Sequence, residues 1–587
     1  MEENIVLNVN GIKLSISRNI TLLEALRSNG ILISASCGGR GLCGLCRVKI
    51  LKGNISQPTL RERELLGELI EKGWRLACQT RVLGETWISI PRIRGGIVGE
   101  RIRRSINVNP SVILLPLGRV SRSGPSVIDN VFNVLRKNGL NPKSCSMGFR
   151  RIIPSIVAKG ERVNLVYDLE EEMVLGVSKR GIYGVAVDLG TTTVVSSLID
   201  LSSGSIIASS FRYNYQIRYG DNLISRIEYA TRHNGVSELK EAAVKTINDN
   251  ISELISSSDV CADDIYSIAI AGNTVMTALV LGISPATLGT YPFEPPFLGE
   301  IRVNTGSLGL IGNSEAIVYT LPVIGGFVGG DVAGDILASG LLEHNRAMLI
   351  DIGTNGEVVV KYNDEIVATS VPAGPAFEGV GLKHGMMAVE GAIESFSLSD
   401  DRYRVIGNTD PKGICGTGYV DILAELVRHG LLERNGRLRE GKGVRRRESI
   451  LEFVVASSDS SDIVVTQLDI RKLQLVISAF KTAYYFLLEQ LGIKPSDLEK
   501  VYVAGSFGFR INPDNAVEIG LLPRVEKENI VFIGNGSLAG AEIYLVSMSE
   551  REKIRRICRR IRVLNMPERK EFQKLFIKMS RLEPLSA

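Results

Sequence analysis

The chain has 587 residues, 44% apolar and 23% charged, too long for one hydrophobic core and too balanced for a disordered polymer, so three or more domains are expected. Its formal net charge of +5 comes from 69 basic and 64 acidic residues scattered along the whole length, which argues against nucleic-acid binding. The start, MEENIVLNVNGIKLSI, lacks the basic and apolar stretches of a signal peptide. Apolar runs such as SVILLPLG and AMLIDIG stop well short of the ~20 residues needed to span a bilayer. A soluble, cytoplasmic protein with no membrane partner is expected, and its eight cysteines then point to metal ligands or buried thiols rather than disulfides.

Residues 4 to 17 predict two short strands joined at Asn10-Gly11, a hairpin dipeptide. TLLEALRSNG predicts a helix with Thr21 as N-cap, Glu24 completing a capping box and Gly30 as its stop. In SCGGRGLCGLCRVKI, Cys37, Cys43 and Cys46 then form a C-x5-C-x2-C run, and Cys78 follows in RLACQT. Four thiolates suit zinc or an iron-sulfur cluster. Gly38, Gly39, Gly41 and Gly44 favour the cluster, because a loop wrapping one needs left-handed turns and N–H groups aimed at its sulfides. A zinc ribbon would show two C-x2-C knuckles where this segment has one, and structural zinc stands as the alternative. The loop, the distant fourth cysteine and the strand-strand-helix order resemble a 2Fe-2S ferredoxin of the β-grasp fold, with the x5 gap of its adrenodoxin-like branch. Cys145, Cys261, Cys415 and Cys558 are isolated and read as inert or buried thiols.

A longer pattern occurs twice. GIYGVAVDLGTTTVVSSLIDLSSGSIIASSF from Gly181 and AMLIDIGTNGEVVVKYNDEIVATSV from Ala347 each give an apolar strand ending in Asp, a Gly-Thr turn and two further strands. A D-x-G-T turn exposes successive N–H groups to phosphate oxygens, while its Asp can hold magnesium through water. The two copies, Asp188-Gly190-Thr191-Thr192-Thr193 and Asp351-Gly353-Thr354-Asn355-Gly356, predict two lobes facing one another across a nucleotide. Paired hairpins with small turn residues are the plainer alternative. VYVAGSFG, residues 501 to 508, predicts a strand entering a glycine turn that approaches an adenosine closely, through Gly505, Ser506 and Gly508. GRLREGKG, residues 436 to 443, has P-loop spacing, but Gly443 stands where magnesium needs a hydroxyl, so a basic surface loop is expected.

The order of these elements resembles the actin/Hsp70/sugar-kinase ATPases. The resulting expectation is multidomain α/β: a β-grasp 2Fe-2S ferredoxin domain (1–92), a basic linker (93–110), a small α/β middle domain (111–180), a two-lobed, ribonuclease H-like ATPase domain (181–547, lobes about 181–345 and 346–547) and a helical tail (548–587).

A ferredoxin ahead of such an ATPase, with GNTVMTALVLG (272–282), GGFVGGDVAGDI (325–336), AGPAFEGVGLKHGM (373–386), GICGTGYVD (413–421), AGSFG (504–508) and GNGSLAGA (534–541), is similar to the reductive activators of corrinoid proteins. That resemblance implies ATP-dependent transfer of one electron to an inactive Co(II) corrinoid protein or corrinoid-dependent methyltransferase, restoring Co(I). It further implies an upstream electron donor and a homodimer. Carried over by motif, Cys37, Cys43, Cys46 and Cys78 hold a 2Fe-2S cluster, Asp188 and Asp351 stand on the Mg2+ side, the Gly-Thr turns bind the phosphates of ATP, and Gly505, Ser506 and Gly508 lie near adenosine. Ser506 stands where the family pattern has a second glycine. Alternatives are electron delivery to another low-potential protein, a redox-responsive ATP-binding regulator, and a small-molecule kinase with an appended ferredoxin.

Overall fold

The computed structural model describes residues 4–29, 31, 33, 39–41, 44, 46–90, 101–120, 122, 124–232, 235–353, 355–400, 402–457, 462–505, 510–565 and 570–585. Gly30, Cys37, Gly38, Cys43, Thr354, Ser506 and Gly508 lie outside the described residues, as do 93–100 of the linker.

Asn10 and Gly11 both take positive φ, 50° and 93°, which matches the twist of paired strands and joins β1 (Asn4–Val9) to β2 (Ile12–Ser17) with Val9 opposite Ile12. Thr21 caps α1 (Leu22–Ser28): its Oγ1 accepts from the Glu24 N–H at 3.1 Å, and Glu24 accepts from the Thr21 N–H at 2.8 Å. With β3 (Arg47–Ile55), α2 (Leu60–Leu66), β4 (Trp74–Leu76) and β5 (Val82–Ser89), these elements form a five-stranded sheet of order β2-β1-β5-β3-β4. Leu7, Val9, Leu22, Leu26, Val48 and Leu76 fill its core.

A second, four-stranded sheet of order β6-β8-β9-β7 comprises β6 (Val112–Gly118), β7 (Ser144–Cys145), β8 (Val163–Asp168) and β9 (Met173–Val177). Its helices α3 (Val127–Lys137) and α4 (Met147–Ala158) bury Val131, Leu135, Phe149 and Ile153 against it.

The repeat read from sequence becomes two similar lobes. The first contains β10 (Tyr183–Leu189), β11 (Thr193–Asp200), β12 (Ile206–Tyr213), α5 (Leu223–Arg232), α6 (Val236–Ser256), β13 (Ile265–Ala271), α7 (Thr274–Leu281), β14 (Arg302–Asn304), α8 (Thr305–Leu308) and β15 (Ile317–Thr320), then leaves through α9 (Gly330–Ser339). The second contains β16 (Arg346–Asp351), β17 (Gly356–Tyr362) and β18 (Glu365–Val371). Two small three-stranded sheets follow: β19 (Ala392–Ser397), β20 (Arg402–Val405) and β21 (Gly413–Ile414), then β22 (Val444–Arg447), β23 (Ile450–Ala456) and β24 (Ile463–Thr466). Helices α10 (Gly416–Arg428) and α11 (Gln467–Leu491) cover the lobe, and β25 (Lys500–Ala504), α12 (Pro513–Glu518), β26 (Ile530–Gly534) and α13 (Gly536–Val546) complete it. The strand orders β12-β11-β10-β13-β15 and β18-β17-β16-β25-β26 coincide strand for strand. The inner strands β10, β13, β16 and β25 are apolar runs covered on both faces, as parallel strands with helices on both sides require.

Helices α9 and α13 leave equivalent strands and cross where neither has a side chain. A Cβ on Gly540 would lie 2.1 Å from the Gly334 carbonyl oxygen, and one on Gly334 would lie 2.8 Å from that of Ser537. The basic segment before the second sheet is stitched to this crossing: the Ile102 N–H donates to the Ile533 carbonyl at 3.0 Å, Arg101 pairs with Glu542, and Arg104 donates to the Leu337 carbonyl at 3.3 Å. The tail packs on the lobes through α14 (Met548–Cys558), the short β27 (Arg562–Val563) beside β18, and α15 (Lys570–Lys578). On α14 the basic side chain of Arg551 is fully buried, its guanidinium 4.2 Å from the Tyr319 ring centre and 3.0 Å from Glu170.

Candidate active site

Each lobe delivers one Gly-Thr turn to a shared cavity of about 270 Å³. The placement follows from pairing: Asp188 at the end of β10 lies beside Ala271 of β13, and Asp351 at the end of β16 lies beside Ala504 of β25. The glycines after those partner strands let the backbones meet. A Cβ on Gly272 would stand 3.0 Å from the Leu189 carbonyl oxygen, and one on Gly505 2.5 Å from that of Ile352. Gly190, Thr191, Thr192, Thr193, Gly353, Asn355 and Gly505 all line the cavity with Asp188 and Asp351. Gly356 is absent from its described lining; there the ring of Phe480 occupies the space a Cβ would need, at 2.4 Å. Residues 436–443 do not line the cavity either.

The crossing helices exchange contacts between lobes. Asn535 and Ser537, at the start of α13, donate to the two carboxylate oxygens of Asp188 at 2.9 and 3.0 Å. Asp335 of α9 stands close to Asp351, whose charge adds to burial in raising its carboxyl. Asp331 of α9 accepts from the Val332 N–H at 2.9 Å. Burial pushes the carboxyl groups of Asp331 and Asp351 up to about 7, with neighbouring carboxylates adding to the effect, and raises Asp335 and Glu357 well above the usual range. Burial also raises Asp188, opposed by Asn535 and Ser537. Asp335 Oδ2 has no hydrogen-bond partner among the described residues. A wall of buried carboxyls with an orphaned oxygen fits a hydrated divalent cation carrying a polyphosphate, which neutralises the charge that the fold leaves uncompensated.

In the first domain, the buried Cys46 and Cys78 bring their Sγ atoms to 3.3 Å without a disulfide. Gly39, Gly41 and Gly44 take φ of 78°, 70° and 72° around them, and a Cβ on Gly41 would meet the Gln79 side chain at 2.8 Å. Two buried thiols in contact, ringed by left-handed glycines, fit ligands of one iron-sulfur cluster. Of the isolated cysteines, Cys415 lines the shared cavity, Cys145 and Cys558 are buried, and Cys261 is exposed.

Asp331, Asp335, Glu357, Asn273, Asn535 and Ser537 were not singled out from sequence. Asp331 and Asp335 are spaced i, i+4 behind a Gly-Gly pair, Glu357 interrupts an apolar strand, and Asn273 and Asn535 each follow a strand-ending glycine as helix N-caps. Those were the available signals.

Family models match the chain as a 2Fe-2S iron-sulfur cluster binding domain over residues 7–83, the RACo middle region over 183–344, and the C-terminal domain of RACo, the ASKHA domain, over 345–585. The corrinoid activation enzyme RamQ of Eubacterium limosum is 31% identical over 576 residues, covering 92% of each chain. The Co(II) methylated amine-specific corrinoid protein reductase of Methanosarcina barkeri is 25% identical over 416 residues, 65% of this chain and 73% of that one. A solved structure of a reductive activator for corrinoid, iron-sulfur protein superposes with a TM-score of 0.74 at 30% identity, covering 98% of each chain. With its cluster domain, its two facing Gly-Thr turns and a likeness that runs nearly end to end, this chain belongs to the family of reductive activators of corrinoid proteins.

Proposed function

We propose that the protein hydrolyses ATP to drive one electron from its 2Fe-2S cluster onto a Co(II) corrinoid protein, regenerating Co(I). The observation that carries this reading is the meeting of two phosphate turns across a carboxylate-lined cavity in a chain that also bears a cluster-binding domain. Cys37, Cys43, Cys46 and Cys78 would hold the cluster, which supplies the electron. Asp188 and Asp351 are the carboxylates for Mg2+, Gly190 to Thr193 and Gly353 to Asn355 cradle phosphates, and Gly505, Ser506 and Gly508 border adenosine. Asp331, on neither turn and held near 7 by burial, is the group suited to take the proton of the attacking water. An upstream donor reloads the cluster, and the family resemblance supports a cytoplasmic homodimer.

The transfer is uphill for a typical ferredoxin, and each ~100 mV of mismatch costs about 2.3 kcal/mol for one electron. Movement of the lobes around nucleotide can offset such a gap by changing the grip on the two corrinoid states, since coupling energies of about 1–3 kcal/mol are ordinary. The test is visible absorption of a Co(II) corrinoid protein mixed anaerobically with the reduced protein, with and without Mg-ATP. A Co(I) band that needs ATP is expected. Cluster oxidation without Co(I), or indifference to ATP across several corrinoid proteins, would overturn the reading in favour of a redox-responsive regulator.

A further inference from the structure

The ferredoxin domain touches both ATPase lobes, and each contact leads to the nucleotide cavity. On the first lobe, Arg27 of α1 pairs with the buried Asp221 at 2.8 Å. Asp221 lies beside the fully buried Arg226, whose guanidinium donates to the Thr191 carbonyl of the first phosphate turn at 2.5 Å. On the second lobe, Arg47 donates through Nε to the Gly44 carbonyl of the cluster loop at 2.8 Å and through Nη2 to the Lys383 carbonyl at 3.3 Å. Lys383 is itself fixed, its N–H on Asp469 at 2.9 Å and its Nζ on Glu452 at 2.8 Å. The loop carrying it lines the cavity on both sides, with Phe377 and Glu378 before and Met387 and Ala388 after.

We propose that Arg27 and Arg47 are positioning residues that latch the ferredoxin domain across the two lobes, and that nucleotide-driven lobe movement breaks the latch and frees the cluster face for its protein acceptor. A rigid domain anchored to two bodies fixes their spacing, so a ligand that resets the spacing must release one anchor. While latched, Gly44 of the cluster loop is buried beside Arg47, which bridges it to the loop of Lys383. Linkage makes the effect reciprocal: if nucleotide weakens docking, docking weakens nucleotide binding by the same factor.

The proposal rests on the reading of the cavity as an ATP site, and its test does not use the corrinoid. A nitroxide on the exposed Cys261 of the first lobe and the paramagnetic reduced cluster form a spin pair for pulsed distance measurement on the holo-protein. Without nucleotide one narrow distance is expected; the Mg complex of a non-hydrolysable ATP analogue should broaden and lengthen it. Arg27→Glu, with its cluster spectrum checked, should give the broad distribution without nucleotide and tighten analogue binding about tenfold by calorimetry. Arg27→Lys should restore the narrow distance, and Arg47→Gln, with its cluster spectrum checked, should repeat the effect of Arg27→Glu. A distance unmoved by bound analogue, or Arg27→Glu and Arg47→Gln proteins that dock and bind as the wild type does, would overturn the latch and leave the ATPase reading standing. Failure of the analogue to bind at all would overturn both.

Discussion

Asp331 sits in the first turn of α9 rather than on either Gly-Thr turn, so removing its charge should spare binding while stopping turnover. Asp331→Asn is expected to lower ATP hydrolysis by about 10²- to 10⁴-fold, the usual worth of a general base, with nucleotide affinity little changed. In the wild type, hydrolysis should rise with pH around the Asp331 value of about 7, and a phosphate-release assay across pH reads both effects. His384 makes a different prediction. Burial, then the charges of Arg47 and Lys383, lowers its imidazole from 6.5 to about 3. Between those values the unfolded chain binds a proton that the folded one refuses, so stability is full above pH 6.5 and falls as the solution is acidified, by about 1.4 kcal/mol per pH unit. Urea midpoints measured from pH 4 to 7 should show that slope lessened in His384→Gln; equal slopes would place the loss elsewhere. At this scale Asp188 and Asp351 were readable because each ends a recognisable strand before a Gly-Thr turn. Asp331 and Asp335 were not, because their meaning comes from the carboxylates of strands far away in sequence.

Elements governed by neighbours in the chain were legible for the same physical reason. The Asn10-Gly11 hairpin and the Thr21 capping box depend on four consecutive residues or fewer, and both formed as the sequence predicts. The pair α9 and α13 was opaque, because a glycine in a helix lowers helix propensity and signals nothing until the partner helix is in place. The crossing tolerates no side chain. Gly540→Ala should therefore lower stability by about 1–3 kcal/mol through overpacking, and should slow ATP turnover because the helices that join the lobes are forced apart. Thermal unfolding and phosphate release measure the two; a normal melting temperature with normal turnover would show that the crossing opens freely.

For the molecule as a whole, the sequence displayed its parts better than their arrangement. The duplicated lobes were visible as a repeated pattern, but the basic stretch ahead of the second sheet, expected as a linker, pairs with Glu542, Glu343 and Glu550. Arg551, one basic residue among many in the helical tail, is the buried post where Glu170, Tyr319 and Tyr544 meet. Charge alone cannot separate a solvated arginine from a buried one, because the difference lies in partners from other domains. The stitching of residues 101–109 to the α9/α13 crossing has a kinematic consequence. When two bodies rotate about a crossing, points on that crossing travel least, so a tether fixed there stays put while Asp221 and Lys383 are carried apart. An unlatched cluster domain would then remain confined near its dock at an effective concentration on the order of millimolar, able to return within each cycle of nucleotide turnover.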